Sequence, residues 1–243
     1  MPPYEASKMP LKFFLKFFQN HGLFKLKNRP QWYTVAKRSR TYVAKVLSSI
    51  SGEYYKNYNV NRLIRRSNGI DLYYGDKSEF FSYDKVVLAS HADQALSIID
   101  EPTKEEQEIL SKFKYRENIA VIHTDESIMP NNKDIWSSWN SSVDKNNIEK
   151  NSITYWLNLL QNLDFDKNIF LTLNPNFKIN EDKILKKVNF THPYFDQSAL
   201  DNQDKLKNLQ NKKNLLFCGS YFGYGFHEDG IKSSIEMIKA IDD

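Results

Sequence analysis

Four of the chain's eight glycines lie in one stretch of its last quarter, Leu215-Leu216-Phe217-Cys218-Gly219-Ser220-Tyr221-Phe222-Gly223-Tyr224-Gly225-Phe226-His227-Glu228-Asp229-Gly230-Ile231. A short apolar run ends at Gly219. A glycine- and aromatic-rich loop follows, and the acidic pair Glu228–Asp229 opens a helical pattern with Ile231, Ile235 and Ile238 at i, i+4 and i+7. Strand, glycine loop and helix start together set backbone N–H groups and a helix dipole against a polar ligand edge. Glu228 and Asp229 have two roles open to them: tuning charge at that edge, or capping a helix that starts at Gly230, with Asp229 as N-cap. Nowhere does a strand lead into G-x-G-x-x-G, so the usual pyrophosphate cradle is missing from the sequence.

Other chemistry is weaker. His21, His91, His123, His192 and His227 are dispersed without ligand spacing, so no metal site is expected. The run His123-Thr124-Asp125-Glu126 is rich in ligating types, yet a strand end with a polar turn accounts for it. Ser220 does not fit a nucleophile elbow, because between Gly219 and Gly223 it takes the second position, where G-x-S-x-G places Ser third. Trp136 and Trp139 suggest a cage for a cationic amine, although on a strand residues three apart face opposite sides. Together with Tyr155, His21 and His192 they are the candidates for a substrate cavity, core packing being the alternative for each.

These residues need elements to hold them. Leu11, Phe14, Leu15 and Phe18, with Phe13 and Phe17 widening the apolar face, predict a helix over 11–19, packed into a core or, with Lys12 and Lys16, lying at a membrane surface or an apolar mouth. Gly22 suits its C′ position. A second helix is expected over 34–49, with Lys37, Arg38 and Arg40 at its start, where the dipole disfavours cations unless an anion is near. Residues 57–90 predict three short strands broken at Ser67-Asn68-Gly69 and Gly75-Asp76, then a strand Lys85–Ala89 buried on both faces. Ser90 to Asp93 caps a helix carrying Ala95, Leu96, Ile98 and Ile99, and Thr103 with Glu106 forms a capping box for a helix over 102–112. Strand-like segments follow at 118–123, 136–140, 153–160 (equally a helix) and 169–173, in an order that suggests an antiparallel sheet. Residues 197–211 predict helix.

The bulk numbers bound the class. A chain of 243 residues forms one large domain or two small ones. An aromatic content of 14% implies large apolar contacts in a core or along a groove. A formal net charge of +4 does not by itself imply nucleic acid. The single cysteine, Cys218, excludes an internal disulfide and fits a packed thiol in a reducing compartment. No run approaches the roughly 18 apolar residues of a membrane span, and the start lacks the order of a signal peptide, so a cytoplasmic protein is expected. A basic stretch from Lys37 to Arg66, interleaved with Tyr42, Tyr54, Tyr55 and Tyr58, supports a rival class: a non-catalytic module contacting nucleic acid or anionic lipid, weakened steeply by salt.

At several places the chain resembles flavin-containing amine-oxidase-like oxidoreductases, in particular bacterial predicted NAD/FAD-binding proteins, over nearly its whole length. The likeness is carried by Phe17 to Leu23, Ser39 to Val43, Ala89 to Leu96, His123-Thr124-Asp125, Met129-Pro130, Trp136 to Asn140, Leu171 to Pro175, His192 to Asp196 and, most strongly, Cys218 to Gly230. It implies an α+β protein: an incomplete FAD-binding domain from 36–98 and 206–243, and a substrate-binding domain from 1–35 and 99–205 with a mostly antiparallel sheet and flanking helices. It further implies Val60 against adenine, Gly219 and Ser220 near the ribityl chain, and Gly230 and Ile231 at the flavin pyrimidine edge beside Glu228 and Asp229. The implied activity is hydride removal from an amine, polyene or acyl-chain substrate, completed by a separate N-terminal Rossmann segment. Two departures accompany it: Ser220 stands where relatives place an acidic residue, and Lys37-Arg38 stand where they show Gly-Gly.

Overall fold

The computed structural model describes residues 9–31, 33–75, 79–144 and 147–242; of the turn expected at Gly75-Asp76, Asp76 lies outside them. The fold is α+β, and the chain divides into two compact units: one built on Tyr115–His192, the other comprising Pro10–Lys114 and Pro193–Asp243.

The second unit starts with α1 (Leu11–Asn20), whose end is a Schellman motif: Gly22 N–H donates to Gln19 O and Leu23 N–H to Phe18 O, with Gly22 at φ 64°. The buried residue of α1 is Phe13, stacked on Phe195 and tilted against Tyr224, while Leu11, Phe14 and Leu15 are exposed. Of the expected apolar face Phe13 alone is buried, because two aromatic rings, Phe195 and Tyr224, gather around it. α2 (Ser39–Ser48) is shorter than expected. Its start is set by Lys37 and Arg38, both at positive φ. β1 (Val60–Arg66), β2 (Gly69–Tyr74) and β3 (Phe80–Tyr83) form an antiparallel meander, Leu63 facing Leu72 and Leu72 facing Phe81. Asn61 is extra in the register, a bulge just after Val60.

β4 (Val86–Leu88) pairs in parallel with β10 (Leu215–Phe217), Val87 opposite Leu216. The strand expected to be buried on both faces is not: Val86 and Leu88 are buried, but Val87 is 41% exposed. α3 (Ala92–Ile98) has His91 as N-cap with no side-chain cap, and Ile99 leaves the helix to bridge Leu63. α4 (Lys104–Leu110) carries the expected capping box, Glu106 N–H donating to Thr103 Oγ1 at 3.2 Å and Thr103 N–H to Glu106 Oε2 at 2.7 Å.

The other unit is a five-stranded sheet in the order β6 (Trp139–Asp144), β7 (Asn147–Trp156), β8 (Phe170–Leu173), β5 (Lys114–His123), β9 (Ile184–Tyr194). The ambiguous segment 153–160 is both things: β7 runs to Trp156, and the single-turn α5 (Leu157–Leu160) follows. In the last part of the chain α6 (Gln197–Gln203) is capped by Asp196, whose carboxylate accepts from Ala199 N–H at 2.9 Å. The last helix, α7 (His227–Asp242), lies on β10 through Met237 and Ile241, which meet Leu216 and Cys218. Its buried side is therefore not Ile231, Ile235 and Ile238, which are 58%, 53% and 53% exposed. Ser233 and Met237 take the inward positions because Ser233 bonds Gly219 N–H and Met237 fills the gap beside Cys218.

Candidate functional site

The strand–loop–helix stretch folds around Gly219. At its backbone angles a Cβ would come within 2.7 Å of the Tyr221 ring, so the tight turn after β10 requires glycine. Its N–H is held by Ser233 Oγ at 2.9 Å. Ser220 to Phe222 form a 3₁₀ turn, and Gln203 donates to Tyr221 O and Gly223 O. α7 begins at His227, not at Gly230: Gly230 N–H already donates to Phe226 O. Asp229 is consequently not the N-cap residue. From inside the first turn its carboxylate accepts from Phe226 N–H and Tyr224 N–H, each at 3.0 Å. It fixes the loop onto the helix start, as the reverse arm of a capping box does. Glu228 faces Lys232 at 3.4 Å. The carboxylates that were candidates for tuning a ligand's charge are thus tied to the chain's own backbone and to a lysine.

An FAD group would need these residues to meet it. The loop shape fits in two places. Gly219 allows close approach after the strand. Lys37 and Arg38 take φ of 58° and 69°, Arg38 with ψ −175°, a backbone conformation in which glycine is the ordinary residue. The resemblance expects Gly-Gly at these two positions, so the loop keeps a glycine geometry under two long cationic side chains. The anion-binding part does not fit: Gly230 N–H is used within the helix, Asp229 occupies the helix start, and no glycine loop of the pyrophosphate type occurs in the sequence. Val60 stands at the bulged end of β1, opposite Tyr74.

In the five-stranded unit, cross-strand register sorts the substrate candidates. Trp139 pairs with Tyr155, Tyr155 with Leu171, and Leu171 with Ile122, so these four side chains form one row across β6, β7, β8 and β5. The row is apolar and partly open: Trp139 is 60% exposed and meets the Tyr155 ring edge-on, and burial pushes the Tyr155 hydroxyl pKa up. Trp136 is elsewhere. It follows a 3₁₀ turn, is 8% exposed, packs edge-on against Trp156 and Phe170, and donates from Nε1 to Pro130 O at 2.8 Å. Trp136 and Trp139 do not form a cage. In the other unit, His21 is the C-cap residue of α1, its ring stacked on Phe17 with Nδ1 2.8 Å from Phe17 O. His192 lies near the end of β9.

The opposite face of the sheet holds a buried polar network that the sequence marked only as a polar turn. Asp125 N–H donates to His123 Nδ1 at 3.1 Å, so that nitrogen carries no proton. Nε2–H then donates to Thr172 Oγ1 at 2.8 Å, and the Thr172 and Thr154 hydroxyls share a hydrogen bond at 2.9 Å. Burial lowers the His123 pKa and outweighs the field of Asp125. Burial raises that of Asp125, but Asn180 N–H, the Ser127 hydroxyl and N–H, and Lys183 outweigh it and hold the carboxyl well below its ordinary value. These bonds tie β5, β7 and β8 to the turn at Asp125 and order the strand ends.

The basic stretch is partly spent. Arg62 pairs with Asp100, Arg65 with Glu106 and Arg66 with Asp71, while Tyr55, Tyr58, Tyr74 and Phe81 contact one another through their rings.

This fold is found in part of several solved oxidase and isomerase structures. A protoporphyrinogen oxidase-like protein from Exiguobacterium sp. 255-15 matches with a TM-score of 0.60 at 9% identity, over 96% of this chain and 58% of that one. The CLA-producing fatty acid isomerase from P. acnes matches with a TM-score of 0.59 at 14% identity, over 85% and 52%. Putrescine oxidase bound to putrescine matches at 0.54 and 10% identity, over 85% and 52%. The chain therefore spans little more than half the length of the proteins whose fold it shares. No protein-family model and no curated protein sequence matches it. Among the described residues no helix is long and apolar enough to cross a membrane.

Proposed function

We propose that this chain is one part of an FAD-dependent oxidoreductase of the amine-oxidase type, and that it works only when a dinucleotide-binding segment completes the flavin site. The observation that carries this reading is the fold shared over 85–96% of the chain with enzymes of which it covers only 52–58%. Residues 36–98 and 206–243, within the unit that holds β4, β10 and α7, are the flavin-binding part. Gly219 and Ser220 line the ribityl chain, and Val60 meets the adenine. In the five-stranded unit Trp139, Tyr155, Leu171 and Ile122 present an apolar wall to an amine, polyene or acyl chain. A bound flavin would accept the hydride; the residues of this chain orient the substrate and exclude water.

Titration of the purified chain with FAD tests the reading, followed by flavin absorbance and fluorescence quenching. We expect no stoichiometric binding by the chain alone and one flavin per chain once a strand–G-x-G-x-x-G–helix segment is supplied. Lack of flavin binding in a verified complex of the two would refute it.

A further inference from the structure

α1 carries apolar residues on two sides. Phe13 and Phe17 meet the rest of their unit, stacked on Phe195 and Phe226. Leu11, Phe14, Leu15 and Phe18 recur at i, i+3, i+4 and i+7, about a third of a turn away. Leu11, Phe14 and Leu15 are exposed and Phe18 is half-buried. The stripe continues past the helix. The Phe14, Phe18 and Phe24 rings follow one another at 4.2 and 5.4 Å, and Leu23, Phe24 and Leu26 are exposed after the Gly22 stop. Packing within the chain accounts for the inner side only, and a contiguous exposed apolar patch marks an interaction site.

The charge of this segment is one-sided. Between Glu5 and Glu53 the sequence holds ten Lys and Arg residues and neither Asp nor Glu, while the other residues of the chain sum to −6. Lys12, Lys16, Lys25 and Lys27 have no ion pair among the described residues, whereas beyond Glu53 Arg62, Arg65 and Arg66 each pair with a carboxylate. Lys12 and Lys16 flank the stripe, and with Leu11, Leu15, Gln19 and Tyr224 they line one shallow groove. A lysine there lays its stem along the leucines and carries its ammonium outward. Nucleic acid would answer the lysines and leave the Leu and Phe side chains in water. A purely apolar partner would bury the lysine charges. A layer of anionic phospholipid answers both, taking apolar side chains at the headgroup boundary and cations among the phosphates.

We infer that α1 and the segment through Lys27 dock the protein on an anionic phospholipid surface. Leu11, Phe14, Leu15 and Phe24 enter the headgroup boundary, and Lys12, Lys16, Lys25 and Lys27 meet the lipid phosphates. The helix lies in that boundary and does not cross it: its 10 residues, at about 1.5 Å each, reach about half of a hydrocarbon core about 30 Å thick. The site needs no flavin, so it stands apart from the oxidoreductase reading.

The test sediments the purified 243-residue chain with vesicles of phosphatidylcholine, alone or mixed with phosphatidylglycerol. Binding to the mixed vesicles should be tighter by about tenfold or more. It should weaken between about 0.1 M and 1 M salt, where the screening length falls from about 10 Å to about 3 Å. Lys12→Glu with Lys16→Glu, and separately Leu11→Ser with Leu15→Ser, should each lower it about tenfold, and Lys104→Glu should not. These side chains are exposed, so circular dichroism of each variant should match the parent. A polarity-sensitive dye on Leu15→Cys should shift to the blue with mixed vesicles, and on Lys104→Cys it should not; the chain's own Cys218 is buried. Equal binding to neutral vesicles, no binding, or duplex DNA bound in a way that the lysine variants lose and the leucine variants keep would overturn the docking surface. So would loss of vesicle binding once a strand–G-x-G-x-x-G–helix segment joins the chain, since that segment would then be what covers the stripe. Flavin binding, present or absent, changes none of these outcomes.

Discussion

His123, with its proton fixed on Nε2 by Asp125 N–H and Thr172 Oγ1, sets the acid sensitivity of the five-stranded unit. Its folded pKa lies below the ordinary 6.5, so the folded chain binds fewer protons than the unfolded one between those two values. Its stabilising contribution is complete above about pH 6.5 and is lost as pH falls from there toward the folded pKa. Asp125 is also depressed from its ordinary 3.8, and its contribution is lost below that value. Urea midpoints measured against pH should therefore fall in two stages, and His123→Asn should remove the upper one. Thr172→Val leaves His123 Nε2–H without an acceptor and should cost about 1–3 kcal/mol, read as a lower urea midpoint at pH 7. At Arg38, where φ and ψ lie in a region used almost only by glycine, the opposite outcome is expected. Arg38→Gly should raise stability by about 1 kcal/mol, which would show that the cation is kept against the preference of the backbone.

At the scale of elements, what held in the sequence was local. The Thr103–Glu106 capping box and the Gly22 helix stop depend on residues a few positions apart, and both formed as the sequence indicated. The apolar faces of α1 and α7 were misassigned for one reason: periodicity finds an apolar stripe but does not say what lies opposite. In α1 the ring partners Phe195 and Tyr224 come from some 180–210 positions away and select Phe13. In α7 the Gly219 turn selects Ser233. β9 was not foreseen, because its lysines and mostly exposed side chains give no alternation. The Trp139–Tyr155–Leu171–Ile122 row was half legible: two members were named, but register joins them, and register comes from the turns and the long β5–β8 connection. Two element-scale outcomes follow. Phe13→Ala should cost about 3–5 kcal/mol, measured by thermal unfolding. Asp229→Ala, by freeing Tyr224 and Phe226 N–H groups, should cost about 1–2 kcal/mol and raise amide exchange at residues 224–226.

At the scale of the molecule, the proposed reading draws on the shared fold and on three features of the described residues. The parallel pair is closed by Gln210 on one edge and open at Val87 on the other, α7 carries an uncovered isoleucine stripe, and the loop at Lys37–Arg38 keeps a glycine shape. The solved proteins that share the fold are nearly twice as long as the part this chain covers. The most direct measurement is FAD titration of the purified 243-residue chain, alone and with a strand–G-x-G-x-x-G–helix segment present. The account predicts no stoichiometric binding alone and one flavin per chain in the complex. Tight one-to-one binding by the chain alone would contradict it.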